Sequence, residues 1–312
     1  MGKKGTKSMA YIIKNVLKEL DDQLIRQSYV IDDEQIVYAN GQLNAIAYPH
    51  LHVSDFRIAP GRVMCGEQLA KAEDPADFKN RMGRLLEKGC TTVIYYAKAD
   101  YERSLPFEIK RAFHQMNNSF LDYVIGLAIP LILLRPSVLR LCKSKKIPLI
   151  RFQVSCLDEL LLVPWSRLKE PLFHYPVVFQ PDFRLLSTKE QKQAMKIWER
   201  IATNIKLPTC VESLEDNESW SKSSTQKMGI YPRKGELRVG GDADYLLYYQ
   251  PHSSASVAES NELDYDKDKP NVVVLRGRVL KANQFVKIRP GSGKAIPVLR
   301  PGQFLQIADA TV

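Results

Sequence analysis

Few residues of this chain have the type and spacing to do chemistry. His50-Leu51-His52 is a His-x-His whose imidazoles would project from the same side of a strand, an arrangement able to grip a metal ion. With no further ligand beside it, we read the pair as exposed strand histidines. Glu67 could serve as an acid or base, but the sequence offers it no partner, and a lone carboxylate is more often solvated or paired. Cys65 could be a nucleophile only with a base within hydrogen-bond reach, and none lies nearby in sequence. Arg151 is a permanent cation that could hold an anionic substrate. No G-x-S-x-G, H-E-x-x-H or Walker loop occurs. Pro290-Gly291-Ser292-Gly293-Lys294 has glycines and a lysine without the phosphate-loop spacing, so it reads as a turn.

Composition narrows the classes. The chain has 312 residues, 45% of them hydrophobic, enough to bury a substantial core in one or two domains. No apolar run reaches the ~18 residues of a membrane span, and no hydrophobic signal region opens the chain, so a soluble, cytoplasmic protein is expected. The five cysteines (Cys65, Cys90, Cys142, Cys156, Cys210) are odd in number and scattered, which counts against a disulfide framework and a zinc ribbon. A net charge of +10 permits attraction to polyanions, but the basic residues are interleaved with 35 acidic ones, and nucleic-acid binding is not the expectation. The densest cluster, Lys3, Lys4 and Lys7, reads as a tail. Met1-Gly2 with Thr6 matches the short myristoylation pattern, which such tails meet by chance.

Positioning elements can be read locally. Tyr11–Leu17, Ser28–Ile31, Gln35–Tyr38 and Leu43–Ala47 are strand-like between Asp-Asp and Asn-Gly turns. Asp74 as N-cap, Pro75 at the first position and Gly89 at the end bracket a helix carrying Phe78, Met82, Leu85 and Leu86. Cys90–Ala97 is a β-branched and aromatic strand. A helix over Phe107–Met116, a strand from Leu121, a helix over Ser137–Ser144 and a strand over Ile147–Ser155 follow. This alternation predicts βαβ units and a parallel sheet. Pro176–Gln180 can supply one more strand, and a Ser187/Glu190 capping box opens a long helix to about Ile205.

The order of these segments resembles the amidohydrolase superfamily, in its dihydroorotase/hydantoinase branch. Asp32–Ile46 is similar to the opening hairpin, Ile58–Gln68 to the Pro-Gly turn feeding the first barrel strand, and Gly229–Leu247 to the return into the lobe. The resemblance runs over residues 11–99, 119–156 and 218–308. It implies metal held by His-x-His on strand one, a carboxylated Lys or a Glu on strand four, a His each on strands five and six, and an Asp on strand eight. Here strand one offers Gly66, Glu67 and Gln68, and strand four offers Arg151, which can neither ligate nor be carbamylated. His174 falls near strand five, strand six has no histidine, and Asp216 is the only acid to offer for strand eight.

A full (β/α)8 barrel takes about 250 residues, whereas 62–228 supports five units, perhaps a sixth. The expected fold is therefore an α/β protein with a shortened or incomplete (β/α) barrel of the metal-dependent hydrolase type and a β-sandwich lobe built from both chain ends. The expected domains are a flexible basic tail (1–10), a lobe (11–61 with 229–312, 250–270 an exposed insertion) and a barrel (62–228). The resemblance, with its known non-catalytic members, leads us to expect a catalytically inactive protein that serves as a structural, scaffolding or regulatory subunit. We expect no catalytic, cofactor-binding or metal residues and no cofactor. The alternatives are a divergent hydrolase of cyclic amides around Glu67 and Arg151, and a basic polyanion-binding protein. An incomplete barrel would leave sticky strand edges, so a homodimer, a larger paralogous partner or the Ser187–Ile205 helix is expected to cover them.

Overall fold

The computed structural model describes residues 10–20, 23–41, 43, 48–212, 218–250 and 268–302. Several expectations fall outside that set: the Lys3, Lys4 and Lys7 tail with its Met1-Gly2 pattern, most of the strand expected at Leu43–Ala47, Asp216, and most of the 250–270 insertion with His252. The described chain divides into two compact units. One gathers residues from 1–63, 80–92 and 232–289, the other from 64–79, 93–231 and 290–312.

In chain order the strands and helices are β1 (Tyr11–Leu20), β2 (Gln23–Asp32), β3 (Gln35–Asn40), β4 (His50–His52), β5 (Phe56–Pro60), β6 (Arg62–Cys65), α1 (Pro75–Glu87), β7 (Cys90–Lys98), α2 (Leu105–Met116), β8 (Asp122–Pro130) and α3 (Pro136–Lys145). Then come β9 (Leu149–Gln153), α4 (Leu157–Leu162), α5 (Lys169–His174), β10 (Val178–Asp182), α6 (Thr188–Ile205), α7 (Lys222–Met228), β11 (Tyr245–Tyr249), β12 (Val272–Leu275), β13 (Arg278–Ala282) and β14 (Phe285–Val286).

The first unit holds a mixed nine-stranded sheet in the order β14-β13-β12-β11-β5-β1-β2-β3, with β4 paired to β1. Strands from early and late in the sequence thus contribute to one lobe, and the pairing is continuous through β11 and β5. Its core gathers Ile13, Tyr29, Ile31, Ile58, Tyr245 and Val274, and Ser28–Ile31 and Tyr245–Tyr248 are each buried as continuous runs. Asp33 and Glu34 both take positive φ in the tight turn between β2 and β3. Lys234 is fully buried, with Nζ 2.9 Å from Asp242 and 2.8 Å from Asp244. A buried ammonium persists only when paired in this way.

The second unit is organised by a five-stranded sheet, order β10-β9-β8-β7-β6, with β8, β9 and β10 running parallel. Eight consecutive residues of β7 are buried, as both faces of a parallel sheet demand. Local signals held. The Asp77 amide donates to Asp74 Oδ1 (2.8 Å), and the Ser187/Glu190 capping box opens α6. α6 does not cover a sheet edge as expected. Its Trp198 packs on outward-facing Phe152 of β9 (5.0 Å between centroids) and on Trp165 (5.3 Å).

The edges are met by other segments. On β10, Phe179 donates to the Pro208 carbonyl (2.8 Å) and accepts from Cys210 (2.9 Å). On β6, the Cys65 amide donates to the Glu218 carbonyl (3.1 Å), and Met64 bridges Ser219. Each edge strand thus has backbone partners from the same chain, Pro208 and Cys210 at β10 and Glu218 and Ser219 at β6.

The Gly-rich segment is a strap on β8. Tyr123 donates to the Lys294 carbonyl (3.0 Å), Ile296 donates to the Tyr123 carbonyl (2.8 Å), and the Lys294 amide donates to Asp122 Oδ1 (2.7 Å). A Cβ at Gly293 would overlap the Leu121 carbonyl oxygen, so only glycine allows this approach.

Candidate functional site

Alternation along β7, β9 and β10 points Tyr96, Arg151 and Gln180 to the same face of the parallel sheet, while Phe152 and Phe179 pack against Trp198 on the other. The inward polar residues converge. Arg151, itself buried, donates from Nε to Gln180 Oε1 (3.0 Å), and the Tyr96 hydroxyl donates to the same oxygen (2.7 Å). The guanidinium carbon stands 4.1 Å from the centre of the Tyr96 ring, a cation–π geometry. Gln180 Nε2 donates to the Glu212 carbonyl (2.7 Å), tying the network to the segment that pairs with β10.

Toward the carboxyl ends of the strands the network becomes ionic. Arg151 Nη1 donates to Glu67 Oε2 (2.7 Å), and Lys98, the last residue of β7, donates to Glu67 Oε1 (2.9 Å). Arg184 Nη1 lies 3.7 Å from Glu67, and its Nε and Nη2 fork onto Asp182 at the end of β10 (2.9 and 2.6 Å). Burial pushes the Glu67 carboxyl up, but the Lys98 hydrogen bond and the charges of Arg151, Lys98 and Arg184 outweigh it and bring it down to about 2. Burial likewise raises Asp182, and its hydrogen bonds with Arg184 reverse the direction. Burial opposes the Arg151 charge, which its neighbours Tyr96, Cys65 and Glu67 restore.

The sequence candidates are thus partly gathered and partly dispersed. Glu67 and Arg151, 84 positions apart, form one pair, and Cys65 Sγ lies 3.9 Å from Arg151 Nη2. Glu67 has the paired role anticipated for a lone carboxylate. His50 and His52 sit exposed on β4, ring centroids 6.4 Å apart. His174 does not lie on the fifth strand; it ends α5, edge-on to Phe173. Lys98, Gln180, Asp182 and Arg184 were not singled out from sequence, although Lys98 and Asp182 each close a strand, the position where sites form on parallel sheets.

The metal centre that the resemblance implies can be tested against this donor set. A Cβ at Gly66 would run into Val93 Cγ2, so a ligating side chain at that position would collide with β7. The fourth strand supplies a guanidinium already engaged by Glu67 and Gln180. Among the described residues no three His, Cys, Asp or Glu gather in a way that could hold a metal ion. The described residues do not fit a divalent cation at this mouth.

The five-stranded sheet and the separate mixed sheet match the fold of dihydropyrimidinase and hydantoinase structures. The dihydropyrimidinase from Brevibacillus agri NCHU1002 superimposes with a TM-score of 0.58 at 12% identity, over 94% of this chain and 99% of that one. A D-hydantoinase gives 0.59 at 13% identity, over 93% and 99%. In sequence, dihydropyrimidinase 1 of Caenorhabditis elegans is 30% identical over 95 residues, which cover 27% of this chain and 19% of that protein. No family model matches the chain. Among the described residues no helix is long and apolar enough to cross a membrane.

Proposed function

We propose that this protein is a non-catalytic amidohydrolase-fold protein that acts by binding, as a structural, scaffolding or regulatory subunit. The observation that carries this reading is the buried Arg151–Glu67 pair at the carboxyl end of the sheet, where a permanent cation stands on the strand that would otherwise supply a metal ligand. A guanidinium can balance the local carboxylates but cannot activate water as a metal does. The five cysteines, free in this structure, suit a reducing, cytoplasmic setting. Exposed Leu161, Leu162 and Phe173 give a homodimer or a larger relative an apolar surface to grip. The working division into a lobe (11–61, 229–312) and a barrel (62–228) belongs to the same reading, except that the segment from Pro290, a strap on β8, goes with the barrel.

The test is metal content by mass spectrometry alongside hydrolysis of hydantoin, dihydrouracil and dihydroorotate. The expected result is sub-stoichiometric zinc, manganese and iron with no turnover. About one metal per chain with turnover of any of these rings would overturn the reading.

The second reading, a divergent hydrolase, draws on the proximity of Cys65, Glu67 and Arg151. A carboxylate held at about 2 is a weak base, however, and Cys65 is fully buried. Turnover abolished by Glu67→Gln would favour it. Polyanion binding predicts a steep salt dependence, which a filter-binding titration reads directly.

A further inference from the structure

Resting on the binding reading above, we propose that the mouth of the half-barrel is a docking site for a small oxyanion, held by Lys98 and Arg184. Three cations, Lys98, Arg151 and Arg184, meet two carboxylates, Glu67 and Asp182, leaving an excess of one positive charge. The charges are also layered. The carboxylate side chains are 13% and 8% exposed, whereas those of Lys98 and Arg184 are 52% and 58% exposed. The acids face inward and the cations face solvent.

Donor counting agrees with the charge. Lys98 carries three N–H donors, of which one reaches Glu67. Arg184 commits Nε and Nη2 to Asp182, and its Nη1, at 3.7 Å from Glu67, makes an ion pair without a hydrogen bond. Both cationic heads meet the same carboxylate, Lys98 at Glu67 Oε1 and Arg184 at Oε2, which places them together at the mouth. The free valences are donors, and a ligand that answers them must accept. Because the flat fork of Arg184 is occupied by Asp182, recognition rests on charge and accepting oxygens rather than on a planar bidentate fit. The place is the carboxyl end of a parallel sheet, where ligands of such sheets bind.

The experiment is calorimetric titration of metal-free, full-length protein with inorganic phosphate and, separately, with malonate, each against sodium chloride at matched ionic strength. Saturable binding of phosphate, malonate or both beyond chloride is expected, and the better arm tells whether phosphate or carboxylate is the natural chemistry. Lys98→Ala and Arg184→Ala are each expected to weaken binding about tenfold or more, as loss of a charge-assisted hydrogen bond implies, while Lys98→Arg retains it. Glu67→Gln removes the internal competitor and is expected to tighten it. Chloride matching both anions, or binding unchanged in Lys98→Ala and Arg184→Ala proteins that melt like wild type, would overturn the proposal. These outcomes are separable from the non-catalytic reading, which stands or falls on metal content and turnover.

Discussion

Glu67→Gln tests the central pair most directly. The substitution keeps the side chain's size and one accepting oxygen but removes the charge that faces Arg151 at 2.7 Å. Arg151 then remains buried beside the neutral Gln180 and Tyr96, with Cys65 Sγ 3.9 Å away and the Asp182 carboxylate as its remaining ionic neighbour. Breaking a buried pair on one side costs about 3–5 kcal/mol, because a charge is left uncompensated. An independent route gives the same order. Lowering Glu67 from 4.5 to about 2 corresponds by linkage to about 3 kcal/mol. That figure is shared, with the Lys98 hydrogen bond the largest lowering cause and the Arg151 charge next, so the Arg151 pair accounts for only part of it. For a unit of this size, about 3 kcal/mol lowers Tm by roughly 6–12 °C. The sign with pH follows from the direction. A carboxylate depressed on folding stabilises the protein above its ordinary value near 4.5, and that contribution is lost as pH falls toward 2. Urea melts at stepped pH should therefore show wild type and Glu67→Gln far apart at pH 7 and converging below about 4.5. Adding Arg151→Met to Glu67→Gln removes both charges and should recover most of the loss. A single substitution costing under about 0.5 kcal/mol, or a double variant no better than the single, would refute the pair's role.

Other outcomes can be checked with little more. Ser187→Ala deletes one half of the capping box at the head of α6 and should cost about 1 kcal/mol in chemical denaturation. Gly293→Ala drives a Cβ into the Leu121 carbonyl and should cost about 1–3 kcal/mol, with faster amide exchange at Tyr123 and Ile296 as the strap lifts from β8. A thiol reagent should modify Cys156 alone in the native protein and all five cysteines after unfolding. The other four are buried, and burial pushes Cys210 up to about 11 and raises Cys142 as well. Rapid modification of a second native thiol would contradict the packing around the sheet.

What the sequence determined by itself was local. Asp74 with Pro75, the Ser187/Glu190 box and the β-branched run from Cys90 act within a few residues, and each delivered the element it signals. The order of those elements foretold a shortened barrel with a sheet lobe, because strand–helix alternation is itself a linear pattern. The short helices α4 and α5 escaped notice, since six residues carry too little periodicity to read, and His174, expected near strand five, ends the helix just before it. Only the tertiary structure decided the site. Whether Glu67 is solvated or paired depends on Arg151, 84 positions away, and on strand ends that bring Lys98 and Asp182 to the same mouth. The closure of the sheet was equally illegible. Backbone hydrogen bonds of Pro208, Cys210 and Glu218 leave no side-chain pattern, and a strand edge is open or closed only by what the fold lays beside it.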